Sequence, residues 1–286
     1  MSAAILDGDT APAPAAGRRP RVRQRKRRGE RILHWITWAL IIWLALPIAF
    51  VIMFSFNNPH GRYNITWSGF TLKYWNPSRL FGQYPDLTTA LEHSFEVAVI
   101  ATIGATVLGT LVGLALGKYR FRGQGATNLV QFACIAAPEV VLGSSLATFF
   151  LQARFQMGEL TVIAAHIMFC LSFVAITVRA RVLTLDPAVE EAAKDLGAGP
   201  WETFRLVTLP MIMPGVIAGA LLAFALSIDD FITTEFTSGS FQTYPLWIWS
   251  ASRQGLPPQV NVMGSIIFLI GVIFAIVYSI FSRRRA

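Results

Sequence analysis

Charged side chains are scarce in this sequence, at 14% of 286 residues against 54% hydrophobic ones. That is too little polar surface to cover a water-soluble globule of this length, so a soluble fold is excluded and a bilayer is the natural solvent. Cysteine is nearly absent. Cys134 and Cys170 both fall in long apolar runs without metal-site spacing, which leaves small core residues rather than ligands or a disulfide. Histidine is equally thin: His34, His60, His93 and His166 are scattered, with no His/Asp/Ser constellation, and no metal or cofactor is expected. A nucleotide signature is missing too. GLALGKY, residues 113–119, resembles a phosphate loop, but its glycines are one residue too close, Tyr119 replaces the magnesium-holding hydroxyl, and no strand precedes it. The chain is expected to be no enzyme. It also lacks a cleavable signal, because the first apolar run starts late, is of full span length and ends in SFNNP without a small-x-small pattern.

What is present is long apolar sequence. A hydrocarbon core about 30 Å thick takes roughly 20 apolar residues per helical crossing. Residues 35–56, 97–117, 160–178, 207–228 and 260–282 contain no Asp, Glu, Lys or Arg. Residues 127–151 make a sixth run, interrupted only by Glu139 beside Pro138, a pairing tolerated where a helix faces protein or water rather than lipid. The expected fold class is an all-α membrane protein with six transmembrane helices.

Of the 24 Lys and Arg, all but Arg62, Lys73, Arg79, Arg154 and Arg253 lie in the N-terminal tail, after the second and fourth spans, or at the C-terminal end. Cytoplasmic loops carry such an excess, so both termini are expected in the cytoplasm. The formal charge of +8 comes mostly from the tail, and anchoring at anionic lipid headgroups explains it better than nucleic acid does. Residues 1–31 are expected to form a disordered basic cytoplasmic tail and residues 32–286 the transmembrane domain.

Small residues mark where helices approach. Ala101, Ala105, Gly109, Gly113 and Gly117 recur every fourth residue, and Gly215, Gly219 and Ala223 repeat the device, so spans two and five are expected at the packed centre.

One polar stretch, EEAAKDLGAGPWETFRLVTLP at residues 190–210, interrupts all this. Pro187 suits a first helical turn and Asp186 can cap it. Glu190 and Glu191 complement the dipole in its early turns, and Gly197 can end a helix of about ten residues in the left-handed region. Gly199 and Pro200 start a second short helix with Glu202 in its first turn. Trp201, Phe204 and Leu206 then expose apolar surface before Pro210 and Pro214 lead into span five. Two short helices joined at a glycine hinge make a docking element, unless they simply lie on lipid headgroups.

Glu191-Ala192-Ala193, three residues, Gly197, nine residues and Val207-x-Leu209-Pro210 resemble the "EAA" loop of ABC-importer permeases, E-A-A-x3-G-x9-I-x-L-P, with Val in place of Ile. The likeness covers residues 88–282 as a permease core with one span in front. It implies the type I importer permease fold, a bacterial-type cytoplasmic membrane, and a coupling helix seated on an ATP-binding subunit. It also implies two ATPase subunits, a second permease chain and an extracytoplasmic solute-binding protein as partners. The coupling residues would be Glu190, Glu191, Ala192, Ala193, Gly197, Trp201, Phe204, Leu209 and Pro210.

LPMIMPG followed by LAFALSIDDF, and TSGSFQTYPLWIWSASRQG with the later PPQVN, resemble the spermidine/putrescine permeases of this group. Asp229, Asp230, Glu139, Glu235 and Trp247 are then the expected substrate-pathway residues, since carboxylates and aromatics favour a multivalent cation. An importer permease for another small solute, and an autonomous channel or ion-coupled carrier, remain the alternatives; the carrier would show an inverted internal repeat.

Overall fold

A computed structural model describes residues 26–61, 63–82, 84–253 and 255–283. The expected disordered tail therefore lies outside the described residues up to position 25, as do Arg284 and Arg285. The described chain falls into two units, one ending at Phe50 and the other starting at Val51. The first belongs to helix α1 (Lys26–Ser55), which contains Pro47 and exposes its side chains from residue 32 to residue 50.

Among the described residues, the regular structure of the second unit is helical apart from one isolated bridge between Asn57 and Phe70. Its helices are α2 (Pro77–Leu80), α3 (Pro85–Lys118), α4 (Gln124–Ala136), α5 (Glu139–Gln152), α6 (Glu159–Val182) and α7 (Pro187–Asp195). They continue with α8 (Pro200–Thr203), α9 (Leu209–Ile228), α10 (Ile232–Thr237), α11 (Tyr244–Ser252) and α12 (Pro258–Arg283).

Among the described residues, Ile32–Ser55, Pro85–Lys118, Glu159–Val182 and Pro200–Ile228 are each long and apolar enough to cross a membrane. The expected span at 127–151 is not one helix. It is α4 and α5, bent by 110°. The residue before a proline is pushed out of the α region. Ala137 accordingly sits at ψ 135° and Pro138 at ψ 131°, two extended residues that turn the chain before Glu139 restarts it. Counted as one broken span, the pair brings the total to five, and Pro258–Ile273 is a shorter apolar helix.

Three helices, α3, α6 and α9, form the core, each packed against the other two. The ridge on α3 meets α6 directly. A Cβ added at Gly109 would lie 2.7 Å from Val174 Cβ, and one at Gly113 would lie 2.7 Å from the backbone oxygen of Ala175. Gly215 and Gly219 of α9 approach the same helix, at Arg181 and Val174. Spans two and five are thus at the packed centre as the small residues predict, and these glycines meet α6, whose Val174, Ala175 and Val178 are fully buried. Dispersion contacts and close backbone approach hold such an interface where lipid removes any hydrophobic drive. The small-residue pattern did not reveal α6 because it is the complementary partner: it supplies the β-branched knobs.

A second, smaller core joins Leu80, Leu87, Tyr244, Val262 and Met263, drawn from α2, α3, α11 and α12.

Candidate functional site

The polar stretch folds largely as its residues dictate. Asp186 caps α7 by accepting a bond from Ala188 N at 3.0 Å, with Pro187 in the first turn. Gly197 ends it at φ +90°, in the left-handed region that favours glycine. Glu202 reaches back to accept from Gly199 N at 3.0 Å, which starts α8.

The second helix is not a separate piece. Residues 204–208 form a π-helical turn in which Leu209 N–H reaches Phe204 O, and the helix then runs on unbroken to Ile228. Pro210 has no N–H to give and its ring crowds the carbonyl four residues back. One extra residue in the turn relieves both problems. The element is therefore a short helix α7 hinged at Gly197 to the foot of a 29-residue helix, Pro200–Ile228.

Trp201 is 68% exposed, Leu206 71% and Leu196 89%, so an apolar tip is presented. Leu196 was not singled out from the sequence, although its place between Asp195 and Gly197 at the helix end fits a side chain left with nothing to cover it. Phe204 differs from expectation. It is half-buried against the three-helix core and 5.6 Å from the Trp201 ring, so it supports the tip rather than forming it. Leu209 also packs on that core, and Pro210 is exposed. Glu191, Ala192 and Gly197 are exposed and Ala193 is half-buried.

Glu190 has a different place from Glu191. Its Oε2 lies 2.5 Å from Lys118 Nζ, and its Oε1 accepts from Thr208 Oγ1 at 2.6 Å. One carboxylate thus ties α7 to the end of α3 and to the foot of α9. Burial opposes its ionisation, but the bonds from Lys118 and Thr208 and the charges of Lys118 and Lys194 outweigh this and hold it below the usual carboxylate range. A cleft of about 380 Å³ opens beside it, lined by Lys118, Asp186, Glu190, Glu191, Lys194 and Thr208.

At the opposite end of α6, α9 stops at Ile228 and α10 begins at Ile232. The five expected substrate-pathway residues do not share a cavity there. Glu235 lines a space of about 550 Å³ with Trp249 and Arg253. Trp247 lines another of about 340 Å³ with Tyr84 and Asp86. Glu139 and Asp229 are exposed and line neither, and Asp230 is buried. Among the described residues, no group of His, Cys, Asp and Glu is arranged to hold a metal ion.

Residues 105–286 match the family described as Binding-protein-dependent transport system inner membrane component. The chain belongs to that family and is a multi-pass membrane permease subunit. It is 36% identical to the spermidine/putrescine transport system permease protein PotC of Escherichia coli (strain K12) over 248 residues, which is 86% of this chain and 92% of that one. It is 32% identical to the putrescine transport system permease protein PotI of the same strain over 266 residues, 87% of this chain and 92% of that one. Among solved structures, a bacterial ABC transporter involved in the import of the acidic polysaccharide alginate matches with a TM-score of 0.61 at 16% identity, covering 91% of this chain and 98% of that one. At that identity the likeness speaks for the fold alone.

Proposed function

We propose that this chain is the permease subunit of an ATP-driven importer of polyamines such as spermidine and putrescine. It sits in a bacterial-type cytoplasmic membrane with six crossings, the bent α4–α5 pair counted as one, and with both termini inside. It pairs with a second permease chain, works above two ATPase subunits, and receives solute from an extracytoplasmic binding protein. The observation that carries the solute class is the 36% identity to a spermidine/putrescine permease over 86% of the chain.

The coupling role rests on geometry. Leu196, Trp201 and Leu206 form an apolar tip on a unit whose second helix is continuous with α9. A push on that tip moves the foot of α9 as a rigid rod, and α9 carries the break at 229–231 at its far end. Closure of the ATPase pair is thereby converted into movement of the pathway.

The test is reconstitution. Uptake of labelled spermidine or putrescine into proteoliposomes is expected only with ATP, both permeases, the ATPase and the loaded binding protein together. Solute flux through this chain alone would instead identify an autonomous channel or carrier. A thermal shift of the binding protein with spermidine and putrescine, but not with unrelated solutes, fixes the class independently.

A further inference from the structure

Helix α7 is joined to the foot of α9 through Gly197, whose φ of +90° and lack of any neighbour within 4 Å of an added Cβ make an open hinge. A flap on such a hinge swings when pushed and passes little of the push on unless it is braced. Among the described residues, Glu190 is the one side chain of α7 that hydrogen-bonds or ion-pairs with another helical segment. Its Oε1 accepts from Thr208 Oγ1 at 2.6 Å and its Oε2 from the Lys118 ammonium at 2.5 Å. The ion pair is partly shielded, with side chains 15% exposed at Glu190 and 29% at Lys118.

Both anchor points lie where movement would otherwise be lost. Thr208 is buried and ends the π-helical turn, the place at which the helix Pro200–Ile228 bends most readily. Lys118 is the last residue of α3. Because α3 and α9 pack against each other, and packed helices slide past one another only by small amounts, a stroke delivered to α9 alone works against that contact. A stroke delivered to both helices at once moves them as one body. The end of α3 in turn carries α4, since Gln124 Nε2 donates to Leu116 O and to Tyr119 O, each at 3.3 Å.

We propose that Glu190 is a positioning residue for coupling: its carboxylate braces α7 against Lys118 and Thr208, so that α3 and α9 follow the loop together when the ATPase subunits close. Glu191 beside it is exposed and takes no part in the brace. The inference rests on the coupling role proposed above for this loop and adds the route by which α3 is engaged.

The test uses the complete importer in proteoliposomes, with ATP hydrolysis and polyamine uptake measured together. Lys118→Met keeps an aliphatic stem and removes the charge. ATP hydrolysis stimulated by the binding protein is expected to persist, while ATP consumed per solute rises about fivefold, the factor that losing one partly shielded ion pair is worth. Lys118→Arg keeps the charge at a single-point contact and is expected to stay within about twofold of wild type. An unchanged ratio in Lys118→Met, or an arginine variant as poor as the methionine one, would overturn the brace. So would a parallel loss of hydrolysis and uptake in an assembled complex, which would place Lys118 in ATPase docking instead.

A second measurement reads the movement itself. Spin labels at Leu111→Cys on α3 and Ile217→Cys on α9, both exposed in this chain, report the distance between the two helices in the ATP-free and vanadate-trapped complex, with Cys134 and Cys170 replaced. The distance is expected to stay the same in the two states with Lys118 present and to change between them in Lys118→Met. The same behaviour in both chains would overturn the brace. Wild-type uptake that runs without ATPase subunits would defeat the coupling reading and the brace with it, whereas intact wild-type coupling beside unaffected variants defeats the brace alone.

Discussion

The two ends of the α6–α9 pair are built from the same inventory of Asp, Glu, Thr and basic side chains, in opposite ways. At the loop end, polar contacts lie nearer the surface and many join residues close in the chain, Asp186 to Ala188, Gly199 to Glu202 and Glu190 to Thr208, while Glu190 to Lys118 reaches across it. At the other end the contacts are buried and span the sequence, with His166 bonded to Ser227 and Thr234, 61 and 68 residues away. The first end is a surface that another protein can take hold of, and its bonds tolerate water. The second is a sealed joint whose groups satisfy one another. A lever needs both: an accessible handle, and a far end that moves as a defined piece.

The largest effect should come from the stem that joins them. Gly113→Leu forces a side chain against the Ala175 carbonyl and Val178, neither of which can yield cheaply. Overpacking of this kind costs about 1–3 kcal/mol or more, so a sharply reduced yield of assembled complex is expected by size-exclusion chromatography. Survival of that variant at wild-type yield would show that the α3–α6 contact is looser than described.

Next in size is the hinge. Proline cannot adopt the φ of +90° found at Gly197, so Gly197→Pro should abolish ATP-dependent uptake while the chain still inserts and the α9–α10 joint keeps its stability. Glu191→Lys, which reverses charge on the exposed side of α7, should uncouple in the same way with less distortion. Unchanged uptake in either variant would contradict coupling through this loop.

The smallest effect is expected at Glu190. Its carboxyl is held below the ordinary range, so its contribution is present above the ordinary glutamate pKa and is lost as pH falls through the lowered value. Glu190→Gln should therefore cost about 0.5–1 kcal/mol at neutral pH and nearly nothing in acid, read as the difference in melting temperature of variant and wild type at the two pH values. A cost that persists in acid would assign the effect to shape rather than charge.

The same contrast explains what could be read from the sequence. The loop was legible because Asp-Pro, a left-handed Gly and Gly-Pro-x-Glu act over a few residues, and so was the small-residue ridge on α3, which repeats within one helix. The run-on from α8 into α9 was not, since nothing local shows that a π-helical turn carries the helix past Pro210. The 110° bend at Pro138 was marked by the proline, but its size depends on two successive extended residues. His166 was illegible for a different reason. Its partners come from α9 and α10, and no local pattern distinguishes a lone histidine in an apolar helix from one that closes a joint. Asp230 could be picked out as an acid in a greasy setting, yet only the fold shows it bonded to Thr234 and beside His166.

The central claim is that the tip at residues 186–210 is on the cytoplasmic side and seated on an ATPase subunit. The direct measurement is cross-linking from Leu196→Cys, in a background with Cys134 and Cys170 replaced, within the assembled importer in inside-out vesicles. The account predicts a cross-link to the ATPase subunit and labelling of the free cysteine by a membrane-impermeant maleimide from the cytoplasmic face alone. Labelling only from the outer face, or no cross-link in a complex that hydrolyses ATP and transports, would contradict it.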